Sequence, residues 1–507
     1  MSVEGALALT GVVLAVPGII DLCIKYGSFL QEKYTLYQRM DADMKLFNLI
    51  SNLVNGEMND VLMFFKSVDD KLSPDLQGQI KNLLIQLLAE LDALKGLITK
   101  DPGIRQRLGY SARKAQQIQK KCFSLEEWHV RFLRRATVLM LFGNFSPATD
   151  SKMVEAATSR AMARIQRIRG AIMGPDPDKV ILGQLPNGAR LHQTSTSSAM
   201  LLVNNDGSHS IAEIRGYGSA SDVDKKNAAF EVIKALALRL AWANPKTMGM
   251  LRSDGFYDDT HYHRFILQFP YPDGMKNPRT LQNLLTDTEH PKDLVHSLTD
   301  RVNLAKKVTS GLLFVHAAGF LHKKVNPTSI VVFERKDEKY PDHLGEPFLV
   351  GYDSIRKVDH ASARLKVEDW KENIYLHPVR HRLQPGDEFT ALHDIYSLGV
   401  VLLEIACWSS FADRKGIGKH LWISETAKRD GEDVVVSRPL TPDKLKEQYL
   451  RLAKKRIPPV LGTRYCEVVV SCLEGLPDED GTLPPSIATS DSSYIQQVIG
   501  KLEEIYV

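Results

Sequence analysis

Between residues 73 and 94 the apolar positions recur at three- and four-residue intervals, with Ile80, Leu83, Leu84, Leu87, Leu88, Leu91 and Leu94 forming one stripe. Ser73-Pro74-Asp75 in front of it supplies an N-cap, a first-turn proline and an acid, so the spacing predicts a core-facing helix. Helical patterning continues through most of residues 28–172. Ser124 and Glu127 form a capping box ahead of "WHVRFLRRATVLMLF", and a further helix is predicted over 150–172. Together these elements predict an all-α bundle over residues 1–173.

The pattern changes at "GPDPDK", residues 174–179, where two prolines and a glycine mark a linker. Beyond it, short apolar runs predict strands: "KVILGQL", "SAMLLVN", "HSIAEIRGY" and "HRFILQF", with turn-rich pieces between them. "KKNAAFEVIKALALRLAW" reads as the one helix among them. From residue 294 onward helices are expected to dominate, including "VNLAKKVTSGLLFVHAAG", "DIYSLGVVLLEIACW" and the terminal "SSYIQQVIGKLEEIYV". The predicted fold class is therefore multidomain, an all-α bundle followed by an α+β region.

Residues 5–20, "GALALTGVVLAVPGII", carry no charge. As a helix the run would be about 24 Å long, short of the ~30 Å hydrocarbon core of a bilayer. Pro17 is expected to kink or end a helix within it. The start "MSVEG" has an acid and no base, which argues against a secretory signal. Three readings stay open: a buried core helix, a segment shielded at rest and released into a membrane, and a conventional anchor.

Composition narrows the choice only in places. Five scattered cysteines without a paired CxxC indicate reduced thiols and neither a disulfide framework nor a zinc site. The net charge of +4 is too small for a general nucleic-acid binder, but it is unevenly spread. Lys and Arg exceed Asp and Glu by nine over residues 101–170, and fall short of them in the rest of the chain. Arg131, Arg134, Arg135, Arg160, Arg164 and Arg167 belong to this basic block, which suits an anionic membrane surface, an acidic partner or a solvated helix face.

Over residues 180–507 the sequence resembles the protein kinases. The resemblance is carried by "GLLFVHAAGFLHKKVNPTSIVVF", "FLVGYDSIRK", "IYLHPVR" and "HDIYSLGVVLLEI", in that order. It implies a bilobal kinase-like fold, with an N-lobe over 180–270 and a C-lobe over 271–507. Phosphoryl transfer needs charge placed around the phosphates: a strand lysine, an acid near the attacking hydroxyl, and metal-binding Asn and Asp. At the matching positions the chain has Arg215 for the strand lysine, Lys324 for the catalytic acid, Asn326 for the loop lysine and Ser329 for the metal-binding Asn. Asp-Phe-Gly becomes Gly351-Tyr352-Asp353, "ILGQLPNG" lacks the GxGxxG spacing expected of a phosphate-covering loop, and Val379 stands for the Glu of Ala-Pro-Glu. His322 and Asp394 match scaffold positions of the family. Glu231 is a candidate partner for Arg215, and Asp353 a candidate for a metal in a shifted register. The matched set implies a pseudokinase with no catalytic residues, no resident metal and no magnesium-ATP cofactor.

A helical unit with an apolar head followed by such a domain resembles the fungal HeLo-type architecture, similar to mixed-lineage kinase domain-like proteins. That resemblance implies regulated cell death or incompatibility signalling at a membrane. Leu7, Leu9, Val12, Val13, Leu14, Val16, Ile19 and Ile20 would be the membrane-acting residues, and the basic block would hold anionic lipids. The implied partners are anionic lipids, an upstream signalling protein and further copies of the chain, but not nucleic acid. The implied location is the cytoplasm, then the plasma membrane. The rivals are a pseudokinase scaffold whose helical domain binds only proteins, and an atypical active kinase.

Overall fold

The computed structural model describes residues 15–35, 57–68, 74–99, 125, 132 and 180–505, apart from 187, 194–198, 219–222, 288–295, 337, 358–369, 382–388, 415, 430–431, 476–497 and 503–504. Its coarse architecture is multidomain α+β, in two compact units, Met1–Met173 and Gly174–Val507.

In the first unit, α1 (Val16–Thr35) packs against both α2 (Glu57–Val68) and α3 (Pro74–Thr99). The leucine stripe of α3 is the cause: Leu83, Leu84, Leu87, Leu88, Leu91 and Leu94 are all buried. Val16, Ile19, Ile20 and Cys23 of α1 and Met58, Val61, Leu62 and Phe65 of α2 are buried as well. Burial pushes the Cys23 thiol up to about 12, so it is an inert core group. Pro17 lies in the first turn of α1 and neither kinks nor ends it, because a proline there removes only an N–H that has no helical partner. None of the described helices is long and apolar enough to cross a membrane.

The second unit opens with a six-stranded sheet formed by β1 (Ile181–Gly183), β2 (Arg190–Gln193), β3 (Met200–Val203), β4 (His209–Gly216), β5 (Gly255–Asp259) and β6 (Arg264–Pro270). Their order is β1-β5-β6-β4-β3-β2, parallel at β1–β5 and antiparallel elsewhere. The helix α4 (Val223–Leu240) covers β5 and β6 with Val232, Ile233, Leu236 and Leu240. "ILGQLPNG" begins as a strand and then runs to β2, with Leu185 packed on Leu202, Ala212 and Ile266. Its Ile181–Gly183 is an edge strand at the opposite side of the sheet. Gly255 makes this edge possible: at φ +135 it is open to glycine, and a Cβ there would lie 2.3 Å from the Val180 carbonyl oxygen.

After the sheet come β7 (Met275–Thr280), α5 (Leu281–Leu285), α6 (Leu298–Ala317) and β8 (Phe320–Leu321). They are followed by β9 (Ile330–Arg335), β10 (Glu346–Leu349), β11 (Arg356–Lys357), α7 (Ala391–Cys407), β12 (Trp422–Arg429), β13 (Glu432–Pro439), α8 (Pro442–Arg456) and α9 (Pro458–Glu474). Strands β10, β9 and β7 form a small sheet, and β11 pairs with β8. Every residue of α7 from Asp394 to Ala406 is buried, so this helix is the axis of the region. Gly399 lets α9 close on it, since a Cβ would fall 2.7 Å from that of Cys472. The β12–β13 hairpin interrupts a stretch expected to be helical.

Ile20 is fully buried, and its replacement by Ala is expected to cost the helical unit about 2–5 kcal/mol. Chemical denaturation of Ile20→Ala followed by circular dichroism checks this. A midpoint equal to that of the wild type would contradict a core role for α1.

Candidate functional site

The segment from β8 to β9 is held from below by Asp394, a fully buried carboxylate in the first turn of α7. Its Oδ2 accepts from the His322 N–H at 2.8 Å and lies 3.0 Å from His316 Nε2, while Oδ1 accepts from the Lys323 N–H at 2.8 Å. The helix N-terminus adds positive potential at that site. Lys323 is driven to a left-handed φ of 68, an unusual conformation for a residue with a side chain. Burial holds the His322 imidazole below its usual pKa. As a neutral ring it donates from Nε2 to the Val350 carbonyl at 2.8 Å and accepts the Lys324 N–H at Nδ1, 3.3 Å away.

Asn326 and Ser329 bind each other. The Asn326 side chain accepts from the N–H groups of Thr328 (2.9 Å) and Ser329 (3.2 Å), and Ser329 Oγ donates to the Asn326 carbonyl at 2.8 Å. Both are buried, and their polar atoms cap the short turn Pro327–Ser329.

Strand alternation puts Glu213 and Arg215 on the same face of β4. Both reach the turn after β10. Glu213 accepts from the N–H of Gly351 at 2.6 Å and from that of Tyr352. Gly351 has φ 89, and this turn aims the two successive N–H groups at the Glu213 carboxyl. Arg215 donates to the carbonyls of Asp353 (3.3 Å) and Ile355 (2.8 Å). Of the two roles open to Glu231, a partner for Arg215 or a solvent-facing acid, the described residues show the second. Glu231 is exposed on α4, and Arg215 is spent on the turn. Sequence reasoning missed Glu213, whose signal was a single carboxylate inside the apolar run "SIAEI".

Lys324 extends into the same region. Its Nζ lies 3.3 Å from Asp353 Oδ2 and 3.4 Å from Glu372 Oε1, in the helical turn Trp370–Asn373. Burial lowers the ammonium pKa, but the two carboxylates outweigh it and leave the group above its usual value. Asp353 Oδ1 is buried with no hydrogen-bond partner among the described residues. A lysine kept protonated can neither take a proton from a hydroxyl nor bind a metal ion. Gly351 offers no side chain, Ser329 is engaged, and Asp353 is already bound to a cation. These residues do not fit a magnesium–nucleotide site.

Val379 is exposed, at 50%. Of the residues assigned to membrane action, Val16, Ile19 and Ile20 are buried in the bundle. Leu7, Leu9, Val12, Val13 and Leu14, together with Arg131, Arg134, Arg135, Arg160, Arg164 and Arg167, lie outside the described residues. No protein-family model matches the chain, and no curated protein matches it at a significant level.

Desolvation pushes the Glu213 carboxyl up to about 8 in spite of its two N–H donors. Between the ordinary value of 4.5 and about 8 the folded chain holds a proton that the unfolded chain has lost, so this group's contribution to stability falls as pH rises. Glu213→Gln removes the titration. Denaturation midpoints across that window are expected to fall more steeply with pH in the wild type than in Glu213→Gln, and parallel profiles would contradict the assignment.

Proposed function

We propose that the chain is a catalytically inactive kinase-like protein whose N-terminal helical unit acts on membranes, in regulated cell death or incompatibility signalling of the fungal type. The observation that carries the inactive half is the Lys324 ammonium beside Asp353, at the position where phosphoryl transfer needs an acid. The supporting pattern is a kept scaffold, His322 on Val350 and Asp394 under the loop, beside a Lys324 that occupies both Asp353 and Glu372. A shifted-register metal on Asp353 is disfavoured because one of its oxygens already faces a cation.

The membrane half rests on the uncharged run at residues 5–20 and the basic block at 101–170. In this reading Val16, Ile19 and Ile20 are shielded at rest, and release exposes them while basic residues engage headgroups at about 1 kcal/mol each. Several copies would act together, because the run is too short to span a bilayer alone. A second reading draws on the same burial: α1 as an ordinary core helix suits a scaffold whose helical unit only binds proteins.

Vesicle leakage separates the two. The full chain and the compact unit 1–173 are incubated with phosphatidylserine-containing and neutral vesicles. Leakage is expected from anionic vesicles with unit 1–173, and the absence of both binding and leakage would contradict membrane action. Radiolabel transfer from ATP to a general acceptor is expected to stay at background. Magnesium-dependent transfer lost in Asp353→Asn would establish the active-kinase alternative.

A further inference from the structure

Lys324 joins two turns of the chain. Asp353 belongs to the turn Tyr352–Ser354, whose Ile355 amide donates to the Tyr352 carbonyl at 3.2 Å. Glu372 belongs to the turn Trp370–Asn373, where the amides of Ile374 and Tyr375 donate to Trp370 O (3.1 Å) and Glu372 O (3.2 Å). The far end of that second turn has its own buried anchors. Tyr449 donates to the Ile374 carbonyl at 2.9 Å, Ser397 to the Tyr375 carbonyl at 2.7 Å, and the Tyr375 hydroxyl to Glu404. The near end carries Glu372 and Trp370. The Trp370 ring meets the Trp422 ring edge-on at 4.7 Å, and the Arg414 guanidinium lies 3.7 Å over Trp422 and 5.6 Å over Trp370. Trp422 is the first residue of the β12–β13 hairpin. Contacts therefore run from Arg215 on β4 through the 353–355 carbonyls, Asp353 and Lys324 to Glu372, and from Trp370 in the same short turn to the hairpin.

We propose that Lys324 is a tethered cation, an internal counter-ion that pins the Trp370–Asn373 turn to the Tyr352–Ser354 turn and so couples the cleft to the Trp370–Trp422 packing at the base of the hairpin. A divalent ion bridging two carboxylates would make a comparable link, but here the bridging charge is covalently part of the chain and cannot dissociate. The side chains of the three residues are 21%, 32% and 44% exposed, so each pair is a modest interaction, and its loss loosens the turns without unfolding the domain. This coupling rests on the non-catalytic reading of the cleft. Phosphate transfer would overturn that reading, whereas amide exchange tests the pinning alone.

Residue-resolved hydrogen exchange on the full chain is the test. Lys324→Met is expected to speed exchange at Ile355, Ile374 and Tyr375 by about threefold to tenfold, the scale of two partly exposed ion pairs. The Phe411 amide, which donates to the buried Glu404 carboxylate, should stay at the wild-type rate. Lys324→Arg, which keeps the charge, should stay close to wild type. Glu372→Gln should speed Ile374 and Tyr375 but not Ile355, and alter the near-ultraviolet tryptophan signal. At Ile374 and Tyr375 the double variant Lys324→Met/Glu372→Gln should exceed neither single variant. Wild-type exchange in Lys324→Met, or additive effects in the double variant, would overturn the proposal. Should Lys324→Met fail to fold, Glu372→Gln decides: unchanged exchange at Ile374 and Tyr375 overturns it.

Discussion

A cation cannot serve where a reaction needs a base, and in the proposed kinase-like reading the Lys324 ammonium, between Asp353 and Glu372, takes the place of such a base. The interaction matters less for its energy than for its occupancy. At distances of 3.3 and 3.4 Å, with partly exposed partners, each pair contributes at most about 1 kcal/mol. What it fixes is charge: the proton stays on the lysine, and the one carboxylate in the turn has a permanent neighbour.

Around that cation the polar groups divide into two kinds. Asp394, His322, Asn326, Ser329 and Glu213 are buried, and each is satisfied by backbone or neighbouring polar atoms. Such groups shape loops, and leaving any one unpaired would cost about 1–3 kcal/mol, so each constrains the others. The Glu213 carboxyl on β4 takes up the two N–H groups of the turn at Gly351–Tyr352, and Arg215, two residues on, grips the carbonyls that follow. The sheet is thereby fastened to the turn by the chain itself.

Much of this was legible in the sequence because periodicity reports burial. The α3 stripe, the long, mainly apolar run of α7 and the strand runs at β3, β4 and β6 each carried a pattern matched to one secondary structure. Asp394 and His322 were legible as positions in an ordered set of motifs. Glu213 and Glu372 were not, since a lone acid in a strand or beside a tryptophan has the same local signature whether it faces solvent or a buried amide. The β12–β13 hairpin escaped for a related reason: its strands pair only with each other, so no core-facing alternation marks them. Val16, Ile19 and Ile20 are apolar on every reading, and their burial in the bundle is a property of packing that composition alone does not determine.

With Lys324 occupying Asp353 and Glu372, no divalent ion on a nucleotide is expected to bind there. Electron paramagnetic resonance of Mn2+ with ATP, recorded with and without an excess of the full chain, tests it directly. The account predicts that the protein leaves the Mn–ATP spectrum unchanged. A protein-bound Mn–nucleotide signal that disappears in Asp353→Asn would contradict it.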